Sequence, residues 1–283
     1  MTFSVVIPTC NGSKYVAQAI ESVLRQTRLA DEIIVSDDGS KDDTLAVCKE
    51  YGDSLTVYAN ENGPSGFVNG WNRAIDFASG DFIAILHQDD LLAPTFLEEM
   101  EKAVDSHPGI GHFFAPCNYI NGKGEIIYSP DYCDNTMKQY TGRQYVKAYY
   151  TFGNPNMHRC PGVVTRRDVL KQCRYRPEAG HIADDDFFFR VGQFTDVVGV
   201  MKPLAYYRVH EESTTGLLDD QEITLRLLED YDFQVRHAFE NKLLDGADLA
   251  FFRYWKYRHF RRAIAYAIKH CSIRCLVRSL RYC

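Results

Sequence analysis

Two pairs of adjacent carboxylates stand out in the first hundred residues, because each pair directly ends an apolar run. Asp37 and Asp38 close the stretch DEIIVSDD, and Asp89 and Asp90 close the stretch FIAILHQDD. A lone Asp at a strand end is commonly a turn or capping residue. Two such pairs at one place suggest a metal site, since Mg²⁺ and Mn²⁺ are held by one or two carboxylates together with phosphate oxygens and water. If the pairs lie together, they predict a divalent metal and a diphosphate-containing ligand.

The elements that must position these acids alternate between two periods along the first 110 residues. Short apolar runs rich in β-branched residues predict strands, and apolar residues at helical spacing predict the helices between them, the first with Ser13 as its N-cap. Alternation of this length predicts parallel strands joined by right-handed crossovers. Strands are predicted at 3–8, 31–38, 54–60 and 81–90, and later helices at 41–52, 65–80 and 93–109.

An open parallel sheet binds its ligand beyond the carboxyl ends of its strands. Pro8, Thr9 and Asn11 follow or end the first predicted strand, and the two acid pairs follow the second and the fourth. All three sets are therefore expected at one edge of the sheet. The sequence has no GxGxxG after the first strand and no GxxxxGK[ST], which argues against a dehydrogenase and a P-loop NTPase.

The pattern changes after residue 110. The stretch 129–160 is polar and aromatic, and it is interpreted either as a cover for the site or acceptor-binding segment, or as a partly helical insertion. The chain is divided into a nucleotide-binding half (1–110), an acceptor-binding half (111–215) and a helical extension (216–283). The predicted elements are strand–turn–strand at 110–128, strand–helix at 161–173, helix at 184–194, strand at 196–210 and helices at 218–283.

Composition narrows the class of protein. The 283 residues carry a net charge of −6, which gives no reason to expect a nucleic-acid partner, and the nine scattered cysteines include no CxxC pair. No apolar run is long enough to span a membrane and the N-terminus has no signal-peptide pattern, so a cytoplasmic location is expected.

The C-terminal stretch 251–283 differs from the rest, with nine Lys and Arg residues, no acid, and aromatic residues among the charges. Two interpretations stay open. The stretch either makes a peripheral contact with the anionic inner face of a membrane, or packs as a terminal helix on an acidic domain.

At this point the motifs, in order and spacing, resemble those of family 2 glycosyltransferases. The segments that carry the resemblance are SVVIPTCNGSKYVAQAIESVLRQT, DEIIVSDDGSKDDT, NGPSGFVNGWNRAIDFASGDFIAILHQDDLLAPTFLEEM and ADDDFFFRVGQF, and it spans about residues 3–212. The resemblance implies an α/β fold of the GT-A type, in which a doubly wound, mostly parallel nucleotide-binding sheet is fused to an acceptor-binding half. It also implies transfer with inversion.

Several donor-binding roles follow from the resemblance. Pro8, Thr9 and Asn11 match the first-strand loop that lies against the nucleoside, and Asp38 matches the acid that hydrogen-bonds the base. Asn72 matches the Asn of a GxNRAI-like segment that contributes to the donor site.

The resemblance also implies a metal site, with Mn²⁺ or Mg²⁺ on the donor diphosphate. Asp89 matches the last acid of the DxD motif and is the expected metal ligand, with Asp90 beside it. His87 replaces the first acid and is available to a ribose or phosphate oxygen, and His210 matches a downstream His that reaches the metal or the diphosphate. Trp71 stands where the family often has Arg, and it is expected to pack against the helix or the sugar.

The catalytic base is also assigned by resemblance. When Arg190 is aligned with the family's downstream Arg, Asp184 takes the place of the acid in the ED pair and Asp186 that of the second acid. The Glu of that pair becomes Ala183, and Asp185 is the next candidate for the base. A carboxylate there is suited to take the proton of an attacking hydroxyl.

The sequence thus predicts a metal-dependent, inverting glycosyltransferase. The enzyme would move a hexosyl or similar group from a nucleotide-diphosphate sugar, with uridine as the default base, to a glycan or lipid-linked acceptor in cell-envelope polysaccharide synthesis. His87 and Ala183 also suit an alternative, a catalytically silent nucleotide-sugar-binding or scaffold protein. A nucleotidyltransferase is disfavoured because the first loop lacks the Gly-rich, basic sequence it needs.

Overall fold

A computed structural model describes residues 1–152, 157–211, 213 and 245–269 of the chain. The chain divides into two compact units, Met1–Arg208 and Val209–Cys283. Helices predicted over 218–244 and 270–283 lie outside the described residues.

Four parallel strands form one side of an eight-stranded sheet, as the alternating pattern predicts. They are β1 (Phe3–Thr9), β2 (Glu32–Asp37), β3 (Thr56–Ala59) and β4 (Phe82–Ile85), in the order β3-β2-β1-β4. Every residue of β1 and β4 is buried, as expected for strands covered on both faces.

The helices of the first half are α1 (Val16–Leu24), α2 (Thr44–Lys49), α3 (Phe67–Phe77) and α4 (Phe96–Ser106). Apolar faces of α1 and α4 pack with the strands in one core. The predicted Ser13 cap is wrong. Tyr15 occupies the cap position instead, because the Ser13 N–H is held by the Asp42 carboxylate at 3.0 Å, one turn before the helix begins.

The second half completes the large sheet and adds a small one. The large sheet continues β4-β10-β6-β11-β9, and the small sheet has the order β5-β12-β7-β8. The stretch 129–160 contains both a strand (β9) and a helix (α5). The elements are β5 (Leu91–Leu92), β6 (His112–Phe114), β7 (Cys117–Ile120), β8 (Ile126–Tyr128), β9 (Met137–Tyr140), α5 (Gly142–Phe152), β10 (Val163–Arg166), α6 (Arg167–Gln172), α7 (Ala183–Val191), β11 (Val197–Val200) and β12 (Ala205–Arg208).

Strand β10 runs antiparallel to both of its neighbours, β4 and β6. Val164 pairs with Ala84, so the beginning of β10 lies beside the end of β4. The short 3-10 helix Cys160–Gly162, which leads into β10, contacts β4, β5 and β12. A segment from the middle of the chain thus reaches the same sheet edge as the loops that follow β1, β2 and β4.

The second unit contains helix α8 (Leu249–Lys269) among its described residues. In the part of the chain that the structure describes, no helix is both long enough and apolar enough to cross a bilayer.

Candidate active site

The loops after β1, β2 and β4 are joined by hydrogen bonds at one edge of the sheet. The Cys10 N–H donates to Gln88 Oε1 at 2.8 Å, and Gln88 Nε2 donates back to the Cys10 carbonyl at 3.3 Å. Asn11 makes the second connection, because its N–H donates to Ser40 Oγ and its Oδ1 accepts from the Lys41 N–H, both at 2.8 Å. The three sets that the sequence places at this edge therefore meet there.

Pro8, Thr9 and Asn11 are placed differently within that edge. Pro8 and Thr9 are still part of β1, where Pro8 is opposite Ser36 and Thr9 is buried. The Thr9 hydroxyl donates to Asp37 Oδ2 at 3.3 Å. Asn11 is exposed at the loop tip and has a left-handed backbone with a φ of 52°, which Asn adopts more readily than most residues.

The two acids after β2 have separate roles. Asp37 accepts the N–H groups of Gly39 and Ser40 at 3.0 Å and so closes the turn. The Asp38 carboxylate accepts from three residues at 2.8–3.0 Å, namely Asn60, Ser65 and Arg73. Burial opposes its ionisation, but these hydrogen bonds lower the pKa of Asp38. The Ser65 N–H is the one described donor to Oδ2, which leaves that oxygen able to accept another hydrogen bond.

Helix α3 connects Asp38 to the acidic loop after β4. Trp71 stacks on the His87 ring with centroids 4.7 Å apart and meets the Tyr175 ring edge-on at 5.4 Å. Asn72 uses both ends of its amide on the Tyr175 backbone, donating to the carbonyl at 2.8 Å and accepting from the N–H at 3.2 Å. The Asn72 side chain therefore fixes the backbone at Tyr175 against α3.

The loop after β4 contains two buried polar atoms without a hydrogen bond. These are His87 Nε2 and Asp90 Oδ2, neither of which has a partner among the described residues. His87 Nδ1 lies 3.9 Å from Asp90 Oδ2. Burial, followed by the charge of Asp89, raises the pKa of Asp90, and burial lowers the pKa of His87. The loop therefore holds polar groups that the described protein leaves unsatisfied.

Arg208, at the end of β12, fixes this loop from a distant part of the sequence. Its N–H donates to Asp90 Oδ1 at 2.8 Å and its Nε donates to the Asp89 carbonyl at 2.6 Å. Its Nη2 also donates to Gln18 Oε1 at 2.8 Å. Sequence reasoning missed this residue; the available signal was a charged residue at the end of otherwise apolar and aromatic strand material.

The donor set fits a divalent cation that is shared with a ligand. Within the described residues, no three or more acidic, His or Cys side chains are arranged to hold a metal ion by themselves. The unsatisfied Asp90 Oδ2 beside the Asp89 charge would be stabilised by a nearby cation. One or two carboxylates completed by diphosphate oxygens and water suit Mg²⁺ or Mn²⁺.

His210 belongs to the second unit and is described by itself. Its carbonyl accepts from the Ser213 N–H at 3.1 Å and from Ser213 Oγ at 2.8 Å. Its role as a metal ligand stays a prediction.

Three successive acids begin helix α7 and have different surroundings. Asp186 is buried and paired with Arg176 and Arg190, so it holds the helix in place. Asp185 accepts a hydrogen bond from the Tyr149 hydroxyl. Asp184 is half-buried, and burial followed by the charge of Asp185 raises the pKa of Asp184 to about 7. A carboxyl group with a pKa near neutrality can both accept and release a proton under physiological conditions.

The loop after β4 and the beginning of α7 share electrostatic neighbours. The charge of Arg159 opposes the rise in pKa of both Asp90 and Asp184. Both carboxylates also raise the pKa of the Cys160 thiol, after the larger effect of burial. Such interactions weaken as the distance between two charges grows. Asp90 and Asp184 therefore lie near the same short segment, and α3 connects that region to Asp38.

Comparison with known proteins agrees with this arrangement. The model of glycosyl transferase family 2 matches residues 4–173, more than half of the chain. The chain belongs to this family. The match confirms the resemblance seen in the motifs, and the family assignment covers all of the loops at the sheet edge.

Relatives of this family 2 chain include glycosyltransferases from several bacteria. An uncharacterized glycosyltransferase of Rickettsia typhi is 27% identical over 233 residues, 81% of this chain and 69% of that protein. The GalNAc(5)-diNAcBac-PP-undecaprenol beta-1,3-glucosyltransferase of Campylobacter jejuni is 36% identical over 118 residues, 40% of this chain and 37% of that enzyme.

Solved structures confirm the GT-A type fold. Residues 1–349 of S. aureus TarS in complex with UDP-GlcNAc match with a TM-score of 0.63 at 21% identity, over 82% of this chain and 66% of that one. The complex of the same TarS fragment with UDP matches with a TM-score of 0.60 at 22% identity, over 82% and 65%. This chain thus spans slightly less than two thirds of the TarS fragment.

Proposed function

We propose that this chain transfers a sugar from a nucleotide-diphosphate sugar to a hydroxyl group of a glycan or lipid-linked acceptor, with inversion at the anomeric carbon. The observation that carries the proposal is Asp184, a half-buried carboxyl with a pKa near 7, which shares its cationic neighbour Arg159 with the acidic loop after β4. The relatives named for glycosyl transfer, one of them to an undecaprenol-linked glycan, support cell-envelope polysaccharide synthesis as the setting.

In this mechanism Asp184 is the general base. Its ionised carboxylate accepts the proton of the acceptor hydroxyl as that oxygen attacks the anomeric carbon. The bond from the anomeric carbon to the phosphate oxygen breaks on the opposite face, and the electron pair leaves with the nucleoside diphosphate. One displacement inverts the configuration, so one base is sufficient and no covalent intermediate is required.

On the donor side, Asp38 Oδ2 has the capacity to accept from the base, and Cys10 Sγ lies 3.8 Å from the Asp38 backbone carbonyl. His87 Nε2, held by the Trp71 ring, is available to a ribose or phosphate oxygen. Asp89 would hold Mn²⁺ or Mg²⁺ with Asp90 beside it, and the metal would neutralise the charge that develops on the leaving diphosphate. The structures of TarS in complex with UDP and with UDP-GlcNAc support a uridine nucleotide as the first donor to test.

The test is a thermal-shift and turnover panel of nucleotide sugars, each with and without Mn²⁺, on the full chain and on Asp89→Asn. We expect a stabilising donor whose effect depends on Mn²⁺ in the wild type and loses that dependence in the variant. Asp53→Asn, on an exposed 3-10 helix, is the matched control. Metal-independent donor binding would remove Asp89 from the metal site. Binding without transfer or donor hydrolysis, over a range of acceptors, would favour the catalytically silent alternative.

We also propose a peripheral membrane contact through helix α8. Residues spaced along one face of that helix are exposed, including Tyr254, Tyr257, Arg258 and Arg261. Phe252 is buried by contrast. Exposed aromatic residues with cations and no acid in the helix complement an anionic lipid surface.

The membrane proposal is tested by sedimentation of the full chain with vesicles of neutral lipid and with vesicles containing an anionic phospholipid. The anionic vesicles alone should bind the wild type, and the double variant Arg258→Glu/Arg261→Glu should bind them several-fold more weakly. Arg25→Glu, a charge reversal on an exposed side chain directly after α1, is the control. Equal binding by both variants would contradict the assignment of this face.

A further inference from the structure

Arg159 lies immediately before the 3-10 helix Cys160–Gly162, and its position is set by the antiparallel β10. Because β10 begins where β4 ends, the segment before it is brought to the edge of the sheet where the acidic loop lies. The 3-10 helix also contacts β12, the strand that ends in Arg208. A residue from the second half of the chain is thus built into the edge that carries the donor-binding loops.

The Arg159 side chain is held by two tyrosines of the small sheet. Its Nε donates to the Tyr119 hydroxyl at 3.0 Å, and its guanidinium carbon lies 5.9 Å from the Tyr119 ring and 5.3 Å from the Tyr207 ring. Cation–π contacts within about 6 Å stabilise a guanidinium and restrict its orientation. The Arg159 side chain is half-buried. The hydrogen bond to Tyr119 and the two rings hold it at its Nε end.

The two terminal nitrogens of the Arg159 guanidinium differ from Nε in their hydrogen bonding. Among the described residues, no acceptor bonds its two terminal nitrogens, and no carboxylate forms an ion pair with it. Burial opposes its charge, but Tyr119, Tyr207 and Asp185 raise the pKa of Arg159, so it stays cationic. The charge of Arg159 acts on Asp90 in the loop after β4 and on Asp184 at the start of α7, and among the described residues it forms an ion pair with neither.

We infer that Arg159 binds the terminal phosphate of the donor diphosphate, the group that carries the negative charge when the sugar leaves. A guanidinium fork matches phosphate oxygens with two parallel hydrogen bonds, and a fork pre-oriented by aromatic rings loses little freedom on binding. Arg159 precedes a 3-10 helix that contacts β4 and β5 on either side of the acidic loop, and its charge also acts on Asp184. The proposed mechanism needs a cation near both groups, where the bond from phosphate to sugar breaks. The inference rests on the proposed function and adds a residue to it.

The test compares nucleoside diphosphates with nucleoside monophosphates by calorimetry, in the presence of Mg²⁺. The full-length wild type, Arg159→Met, Arg159→Lys and the control Arg25→Met are titrated with UDP and UMP, and with the corresponding guanosine, cytidine and adenosine pairs. In Arg159→Met we expect diphosphate affinity to fall about tenfold to a hundredfold, as for loss of charged hydrogen bonds, with monophosphate affinity within about twofold of wild type. Arg159→Lys should keep part of the difference, because it keeps the charge without the fork.

The outcomes separate this inference from the function on which it rests. If the wild type binds a nucleoside diphosphate and Arg159→Met binds it equally well, the inference fails and the proposed function stands. Equal losses for diphosphate and monophosphate, or a loss of turnover with unchanged diphosphate affinity, would also overturn it in favour of a role in packing or at the acceptor. If the wild type binds no nucleoside diphosphate, both proposals fail together.

Discussion

The loop after β2 and the loop after β4 both present two acids at the same sheet edge, yet their hydrogen bonding differs. Around Asp37 and Asp38 the carboxylate oxygens accept from backbone, hydroxyl, amide and guanidinium donors. Around Asp90, one buried carboxylate oxygen and His87 Nε2 have no hydrogen-bond partner among the described residues. A saturated carboxylate holds a shape, whereas an unsatisfied buried one is costly unless a ligand or ion completes it.

Helix α7 repeats this contrast within three residues. Asp186 is neutralised by two arginines, while Asp184 has a pKa raised to about 7 by burial and by the neighbouring carboxylate. The residues with satisfied charges are expected to affect stability, and the others are expected to affect turnover. Four predictions test this division.

The largest effect is expected for Asp184→Asn. Loss of a general base should reduce kcat about 10²- to 10⁴-fold with little change in donor affinity. Because the base acts when ionised, wild-type kcat should rise with pH through about 7 and level off above it. Steady-state kinetics between pH 5.5 and 9 measure the loss of kcat in the variant and the pH profile of the wild type. Asp105→Asn, exposed on α4, is the control, and a wild-type profile that is flat across pH 7 would exclude Asp184 as the base.

The next effect is on stability. Asp186→Ala leaves Arg176 and Arg190 without their shared carboxylate and should lower the free energy of unfolding by about 3–5 kcal/mol. Asp168→Ala breaks the exposed pair with Arg166 and should cost about 0–1 kcal/mol. Urea unfolding compares the two variants. Equal losses would mean that the pairing of Asp186 does not anchor α7.

A smaller effect is expected from pH, through two buried histidines. Burial lowers the pKa of His112 to about 3, and the pKa of His158 is also lowered by burial. Above about pH 6.5 neither the folded nor the unfolded form is protonated; below it the unfolded chain takes up protons that the folded one excludes. Stability should therefore fall as pH drops, by about 2 kcal/mol for His112 between pH 6.5 and 5. His112→Gln should reduce this slope, and an unchanged slope in that variant would exclude His112 as its source.

The smallest effect is expected in the loop after β2, around Asp38. Ser65→Ala removes one of several donors to Asp38, the 2.9 Å bond from Oγ, and should cost about 1 kcal/mol of stability. Donor affinity should change less than tenfold, because the Ser65 N–H, Asn60 and Arg73 still fix the carboxylate. Ser54→Ala at an exposed position is the control. A complete loss of donor binding in Ser65→Ala would show that the remaining donors do not fix the Asp38 carboxylate.

The sequence predicted the first half of the fold well, because its signals are local. Continuous apolar runs mark β1 and β4, and helical spacing marks α1 and α4, so the sheet edge and its acid pairs follow from general rules. Helix boundaries were less accurate, as the Ser13 position shows, because the Ser13 N–H donates to the Asp42 carboxylate of another loop and α1 begins three residues later.

The rest of the site depends on contacts between distant residues, which one sequence does not encode visibly. Nothing in the pattern links Arg208 to Asp90, or places Arg159 beside the end of β4 through an antiparallel strand. Three adjacent Asp residues in α7 look equivalent in sequence, and only the position of Arg176 and Arg190 separates Asp186 from the others. The strand β9 was missed because its polar sequence has few strand signals.

Because Arg208 holds the acidic loop, the proposed donor site cannot be isolated by cutting the chain soon after β4 and α4. A fragment ending near residue 110 would contain every loop at the edge from β1 to β4, yet Asp90 Oδ1 and the Asp89 carbonyl would lose the donors that hold them. In such a fragment the acids would repel each other in a loop with no fixed shape. The first 110 residues thus reach the geometry described here only after the chain has been synthesised through β12.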